Sequence, residues 1–126
     1  MVVGFGLDIV EVRRIERLLA SDHAARFLER VFTARERTFC DAVKDRANRY
    51  AARFAAKEAA LKALGAPAGL QFREVEVVRE KGPPRLVFSG AVLEAVQSIR
   101  ADRSHLTLTH DGGIAAAAVI LEATAT

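Results

Sequence analysis

An α+β fold, with a mostly antiparallel sheet packed on one long central helix, follows from three features of this 126-residue sequence. The stretch 47–64 is alanine-rich and free of Gly and Pro, so its intrinsic preference is strongly helical. Two pairs of short segments, 74–79 with 85–89 and 104–109 with 114–121, carry β-branched or alternating residues, and a brief Gly-containing turn joins each pair. Half of the chain, 51%, is hydrophobic, which suits one ordinary domain with a real core spanning 1–126 and leaves too little chain for two.

Taken in order, residues 2–8 read as a strand in which Val3, Phe5 and Leu7 alternate with Val2, Gly4 and Gly6. Two glycines on one side leave that face open for another element to lie flat against it. Asp8 ends the run. A helix over 10–20 follows, with Val12, Ile15, Leu18 and Leu19 on its apolar face and Arg13, Arg14 and Arg17 on its basic one. Ser21 and Asp22 break that pattern, and 24–31 reads as a short helix burying Phe27, Leu28 and Val31. Thr33 and Glu36 have capping-box spacing, so a further helix starts at Ala34 and passes through Phe39 and Cys40. A charged connection leads to the central helix, which Gly65 closes in the C′ position with Pro67 beyond. Residues 74–79 and 85–89 then pair around a turn rich in Gly and Pro. Ser89 is placed to cap a helix over 91–99. Leu106 and Leu108 alternate with His105, Thr107 and Thr109 in the next strand. A turn at Asp111, Gly112 and Gly113 brings the chain back along 114–121, and 122–126 reads as a frayed tail.

Composition bounds the function. The longest apolar run, 114–121, is far short of the about 20 residues a membrane span needs, so it is a buried strand. The opening MVVGFGLDIVEV lacks a basic leader and a cleavage site, which speaks against a signal peptide. A single cysteine, Cys40, gives neither a disulfide framework nor a Cys-based metal site. A cytoplasmic protein is the default. The net charge of +3 and a pI near 9.5 suit an anionic ligand, an acidic protein or nucleic acid. Nucleic acid is disfavoured: there are seven Phe, one Tyr and no Trp, with no aromatic pair suited to base stacking and no recognition-helix or zinc pattern.

The central helix carries RFAAKEAALK at 53–62. At helical spacing Arg53 and Lys57 share one stripe, Glu58 and Lys62 another, and Ala55, Ala59 and Ala63 form a stripe of small residues that lets a second backbone come close. Two readings stand. Glu58 and Lys62 form an ordinary surface pair of about 0.3–0.5 kcal/mol while Asp8 caps the helix after it. Alternatively, Asp8 and Glu58 make a two-carboxylate magnesium site, of the kind completed by waters and substrate phosphates, with the nearby bases holding the rest of a polyphosphate. His105 faces away from the leucines it alternates with, and His110 lies at the turn. Five residues apart on one strand, they point to opposite faces and do not share a metal. The spacing allows His105 a phosphate contact and gives catalysis by His110 no support. Arg13, Arg14 and Arg17 form either a solvated face or a dock for an acidic partner.

Three motifs in order make the chain similar, over about residues 2–121, to the holo-acyl-carrier-protein synthases, the short class of 4′-phosphopantetheinyl transferases. GFGLDIVEVRRIE at 4–16 resembles the family's opening G-x-D-I-V-E segment, RYAARFAAKEAALKALG at 49–65 its R-F-A-x-K-E-A helix, and HLTLTHD at 105–111 its H-x-S-x-S-H-D strand. FTARE at 32–36 and the strand pair around Pro83 and Pro84 also fit. The resemblance implies a 4′-phosphopantetheinyl transferase-like fold. It implies transfer of the phosphopantetheine arm of coenzyme A to a serine of an apo acyl carrier protein, with magnesium, in fatty acid or polyketide biosynthesis. On it, Asp8 and Glu58 are the metal ligands and Lys62 contacts the pyrophosphate. Arg53 and His105 hold the nucleotide and its 3′-phosphate, with Lys57 in the same anionic pocket. Arg13, Arg14 and Arg17 face the acidic carrier. It also implies a homotrimer with active sites between subunits. The base for the serine hydroxyl is Glu58 or a metal-bound water, the water being electrostatically easier. Thr109 stands where the family usually has serine, and it keeps the hydroxyl. With Asp8, Glu58 and Lys62 all present, a non-catalytic assembly subunit is disfavoured.

Overall fold

The computed structural model describes residues 1–124. It has the strands β1 (Val2–Glu11), β2 (Val75–Val78), β3 (Arg85–Phe88), β4 (Arg103–Asp111) and β5 (Ile114–Glu122), and the helices α1 (Val12–Leu19), α2 (Ala24–Val31), α3 (Ala34–Asp41), α4 (Arg46–Ala63) and α5 (Gly90–Ser98). Antiparallel pairing gives a three-stranded sheet in the order β1-β5-β4 and a separate β2-β3 ribbon. The α+β class and the sheet packed on a long central helix are as the sequence predicts. Among the described residues, no helix is long and apolar enough to cross a membrane.

The sheet lies flat on α4 because both partners are stripped of side chain at the contact. Ala55, Ala59 and Ala63 are buried on α4, and Ala115 and Ala117 on β5. Gly4 and Gly6 of β1 face the same helix so closely that a Cβ on either would overlap a backbone carbonyl oxygen, that of Ala63 or Ala59. On its other sides α4 meets an aromatic cluster: Phe32 packs edge-on to Tyr50 at 4.8 Å, and Phe27 and Phe54 extend the group to Phe72. Gly65 ends the helix in a left-handed conformation, with its N–H donating to Lys62 O and the N–H of Ala66 to Leu61 O, which satisfies two orphan carbonyls.

Several boundaries differ from expectation for identifiable reasons. β1 runs on through Ile9 and Glu11, because both continue the ladder with β5 opposite Ala116 and Ile114. α1 therefore begins at Val12, and Glu11, not Asp8, occupies its N-cap. The capping box at Thr33 and Glu36 is present. Ser89 makes no side-chain cap to α5. Glu74 Oε2 accepts from Ala91 N at 3.0 Å in its place, from a 3₁₀ turn at Phe72–Glu74 that the sequence pattern hides. The frayed tail expected over 122–126 falls partly outside the described residues. Within them, Glu122 closes β5 and Thr124 N donates to Asp102 Oδ1 at 3.0 Å.

Candidate active site

The close helix–strand contact brings three charged side chains to one place. Asp8 is in mid-strand, paired with Ala117 and facing α4. Lys62, one turn after Glu58 on α4, donates to Asp8 Oδ1 at 3.0 Å and to Leu7 O at 3.2 Å. So Asp8 does not cap a helix, and the ion pair of Lys62 among the described residues is with Asp8, not Glu58. Both bland readings of these residues fall away. Glu58 is half-buried. Burial and the neighbouring Asp8 carboxylate push its carboxyl above the usual range, against opposing pulls from Lys62 and Arg14. Lys62 offsets part of the repulsion between the two carboxylates, and the pair could also hold a cation. The donor set is oxygen only, and no cluster of three or more His, Cys, Asp or Glu occurs among the described residues. That fits magnesium, which keeps waters and takes substrate oxygens, far better than zinc.

The other flank of α4 holds a second feature. Five residues along a helix turn about 140° around it, so Arg53 points away from Glu58. Arg53 is buried, with its guanidinium 4.3 Å from the Phe39 ring centroid. Arg49 lies 4.1 Å over the same ring, and its Nη1 donates to Phe39 O at 2.7 Å. With Arg79, Asn48, Thr109 and His110, these two arginines line a basin of about 450 Å³. None of Arg49, Arg53 or Arg79 joins an ion pair among the described residues. Three arginines turned into one basin without a carboxylate suit phosphate oxygens.

Two expected members of this pocket are elsewhere. Lys57 is fully buried 2.7 Å from Glu36, and it donates to Phe72 O at 3.1 Å and Val75 O at 2.6 Å. Burial pushes its pKa down against the pull of Glu36. Its membership of an anionic pocket is thus corrected: helical spacing put Lys57 on the stripe of Arg53, but that side of α4 one turn on is covered by α3 and β2. His105 is on the outer face of the sheet, exposed, with Nε2 3.1 Å from Glu122 Oε1, so one chain does not bring it to Arg53. His110, which alternates to the inner face, lines the basin beside Arg53 instead. Arg49, Arg79 and His110 are the residues that sequence reasoning missed. The signal for Arg49 was available, one turn before Arg53. For Arg79 there was none, since its place depends on how the β2-β3 ribbon docks.

Arg13, Arg14 and Arg17 are exposed on α1 as expected. Arg14 lies 5.6 Å over Phe54 and rims an apolar groove of about 400 Å³ floored by Leu18, Phe27, Phe54 and Phe72, with Arg26 and Arg30 of α2 on its margin. The same Arg14 is close enough to Glu58 to act on its charge.

An antiparallel sheet laid on an alanine-rich helix, with paired carboxylates on one flank and unpaired arginines on the other, defines a small α+β protein equipped to grip a phosphorylated ligand. A family model for the 4′-phosphopantetheinyl transferase superfamily matches residues 4–119, and the chain belongs to that superfamily. It is 57% identical over 126 residues to a holo-[acyl-carrier-protein] synthase of Anaeromyxobacter dehalogenans, covering 98% of each chain. Among solved structures it resembles the holo-[acyl-carrier-protein] synthase of Neisseria meningitidis, with a TM-score of 0.85 at 30% identity, covering 97% of this chain and 99% of that one. It also resembles that of Bacillus anthracis in complex with CoA (3′,5′-ADP), with a TM-score of 0.79 at 35% identity and coverage of 98% and 99%.

Proposed function

We propose that this chain transfers the 4′-phosphopantetheine group of coenzyme A to a serine of an apo acyl carrier protein, releasing adenosine 3′,5′-bisphosphate and serving fatty acid biosynthesis. The observation that carries the reading is the meeting of Asp8, Glu58 and Lys62, forced by glycine and alanine at the helix–strand contact, in a chain of this superfamily. Phosphoryl transfer asks a protein mainly for positioning and charge neutralisation. Asp8 and Glu58 would hold magnesium, which when bound would offset charge on the pyrophosphate. Lys62 is half-exposed and neutralises the oxygens of the transferred phosphoryl group. The arginine basin takes the nucleotide phosphates, with His110 beside them. The arginines around the α1–α2 groove receive the acidic carrier and its serine.

The carboxylates and the basin lie on opposite flanks of α4. A homotrimer would set the carboxylates of one copy beside the basin of another, and a head-to-tail ring closes without loose ends. A covering for the outer face of the sheet is also needed. Phe5, Leu7 and Ile9 are 60%, 57% and 67% exposed in a row there, beside Ala116, Ala118 and Ile120 of β5. Such a continuous apolar patch marks a protein interface. The chain's net charge of +3 fits an acidic partner.

The test is direct. The protein is mixed with coenzyme A, magnesium and an apo acyl carrier protein, and the carrier is weighed by mass spectrometry. A gain of one phosphopantetheine is expected; no gain with several carriers refutes the reading.

A further inference from the structure

The strongest unexplained feature is a charged pair in the dry interior. Glu36 and Lys57 have no exposed side-chain surface and meet at 2.7 Å. Taking two charges out of water costs several kcal/mol per ion before their attraction is counted, and well-packed apolar residues often serve stability as well or better. Stability alone therefore does not account for the pair. Its hydrogen bonds point to another use. Lys57 uses all three protons, on Glu36, Phe72 O and Val75 O. Glu36 accepts in addition from Thr33 N at 2.9 Å and Val77 N at 2.8 Å. One ion pair thereby ties together the start of α3, the middle of α4, the 3₁₀ turn, and Val75 and Val77 of β2.

Three of the tied elements, α3, α4 and β2, carry or lead directly to residues of the arginine basin. One turn beyond Glu36 on α3 is Phe39, the ring on which Arg49 and Arg53 stack. Directly after β2 comes Arg79. One turn before Lys57 on α4 is Arg53 itself. We infer that Glu36 and Lys57 are positioning residues that set the three basin arginines to the spacing of the nucleotide's phosphates. The inference rests on the transferase reading above, and it predicts a defect in coenzyme A binding that spares the chemical step. Lysine is suited to this role, since three donors spread from one nitrogen reach three elements, which a planar guanidinium does not.

The test compares Glu36→Gln with the parent protein and with Thr33→Ala, which loosens the start of α3 but leaves the Glu36–Lys57 contact in place. Transfer by the parent comes first: if it fails, the transferase reading fails and not this inference. With an active parent, Glu36→Gln is expected to raise KM for coenzyme A and Kd for adenosine 3′,5′-bisphosphate about tenfold, or about 1.4 kcal/mol. Its kcat, its KM for carrier and its half-saturating magnesium stay within about twofold, while Thr33→Ala lowers the melting temperature without moving KM for coenzyme A. Phe39→Leu, at a half-buried site, removes the ring beneath Arg49 and Arg53 and is expected to copy the Glu36→Gln signature. It also decides the matter where Glu36→Gln yields no folded protein. Unchanged coenzyme A binding in folded Glu36→Gln or in Phe39→Leu overturns the inference, as does a fall in kcat with KM unmoved.

Discussion

Replacing Gly6 by alanine isolates the contact on which the proposed chemistry depends. An added Cβ would lie 2.7 Å from the carbonyl carbon of Ala59 and 2.9 Å from Ala63 N, in addition to overlapping the Ala59 oxygen. Ordinary carbon contacts need about 3.5–4.0 Å, so β1 and α4 must separate by more than about 1 Å, the Ala59 oxygen demanding the most, and both are backbone with no side chain to swing aside. Overpacking of this kind costs about 1–3 kcal/mol. Asp8 is two residues further along the same strand and moves with it, away from Glu58 and Lys62. A misplacement of about 1 Å is worth up to about 100-fold in rate. Urea unfolding followed by circular dichroism gives the stability change, and a mass-spectrometric time course of carrier modification gives the rate. Gly4→Ala is the graded control: it overlaps Ala63 O but lies four residues from Asp8, so its stability loss should exceed its rate loss. Gly6→Ala that unfolds within about 0.5 kcal/mol of the parent and transfers at full rate would show that the close approach does not set the site.

Asp8→Ala and Glu58→Gln should each cut transfer by two orders of magnitude or more, as expected for loss of electrostatic stabilisation, and raise the magnesium requirement; full activity of both at saturating magnesium would remove them as ligands. Because the folded state raises the carboxyl of Glu58, it binds more protons than the unfolded chain from the ordinary glutamate range up to the raised value. This group's contribution to stability therefore falls as pH rises through that window. Glu58→Gln should accordingly melt slightly higher than the parent at neutral pH without magnesium, and magnesium affinity of the parent should weaken as pH drops through the same window. A lower melting point for Glu58→Gln would contradict the origin assigned to the shift. Reversing Arg14 and Arg17 to Glu should raise KM for carrier while leaving coenzyme A affinity alone, and steady-state kinetics in each substrate decides it. Leu7→Asp together with Ile9→Asp should convert a trimer to monomers in sedimentation and abolish transfer; an unchanged mass would place the interface elsewhere.

Much of this was legible in residue patterns, and the gaps have physical causes. Helical period and small-residue stripes located α4, its Gly65 stop and the close approach to β1, because those features depend on local geometry. The Thr33–Glu36 box was readable for the same reason. The length of β1 was not, since Ile9 and Glu11 suit a strand or a helix start equally and pairing with β5 decides. Spacing placed Arg53 and Lys57 on one stripe, but their fates diverge: Arg53 opens to a basin, and Lys57 is sealed by Glu36, a residue brought there by tertiary packing. The histidines illustrate the same limit. Alternation correctly set His105 and His110 on opposite faces, yet only the docking of α4 shows that the inner one meets the arginines.

The strand order has a consequence for how the molecule comes to exist. β5 lies between β1 and β4, and its partnership joins Val2 to Glu122, nearly the full span of the described chain. During synthesis the first strand leaves the ribosome long before its partner. At 5–20 residues per second the wait is roughly 5–20 s. Throughout it, Phe5, Leu7 and Ile9 stand beside an unpaired ladder edge, the combination that invites mispairing between nascent chains. Closure at such sequence separation is also slow by topology. The glycines that make room for α4 leave this waiting strand with few side chains to hold it in register, so the step that creates the site is also the molecule's most exposed moment in folding.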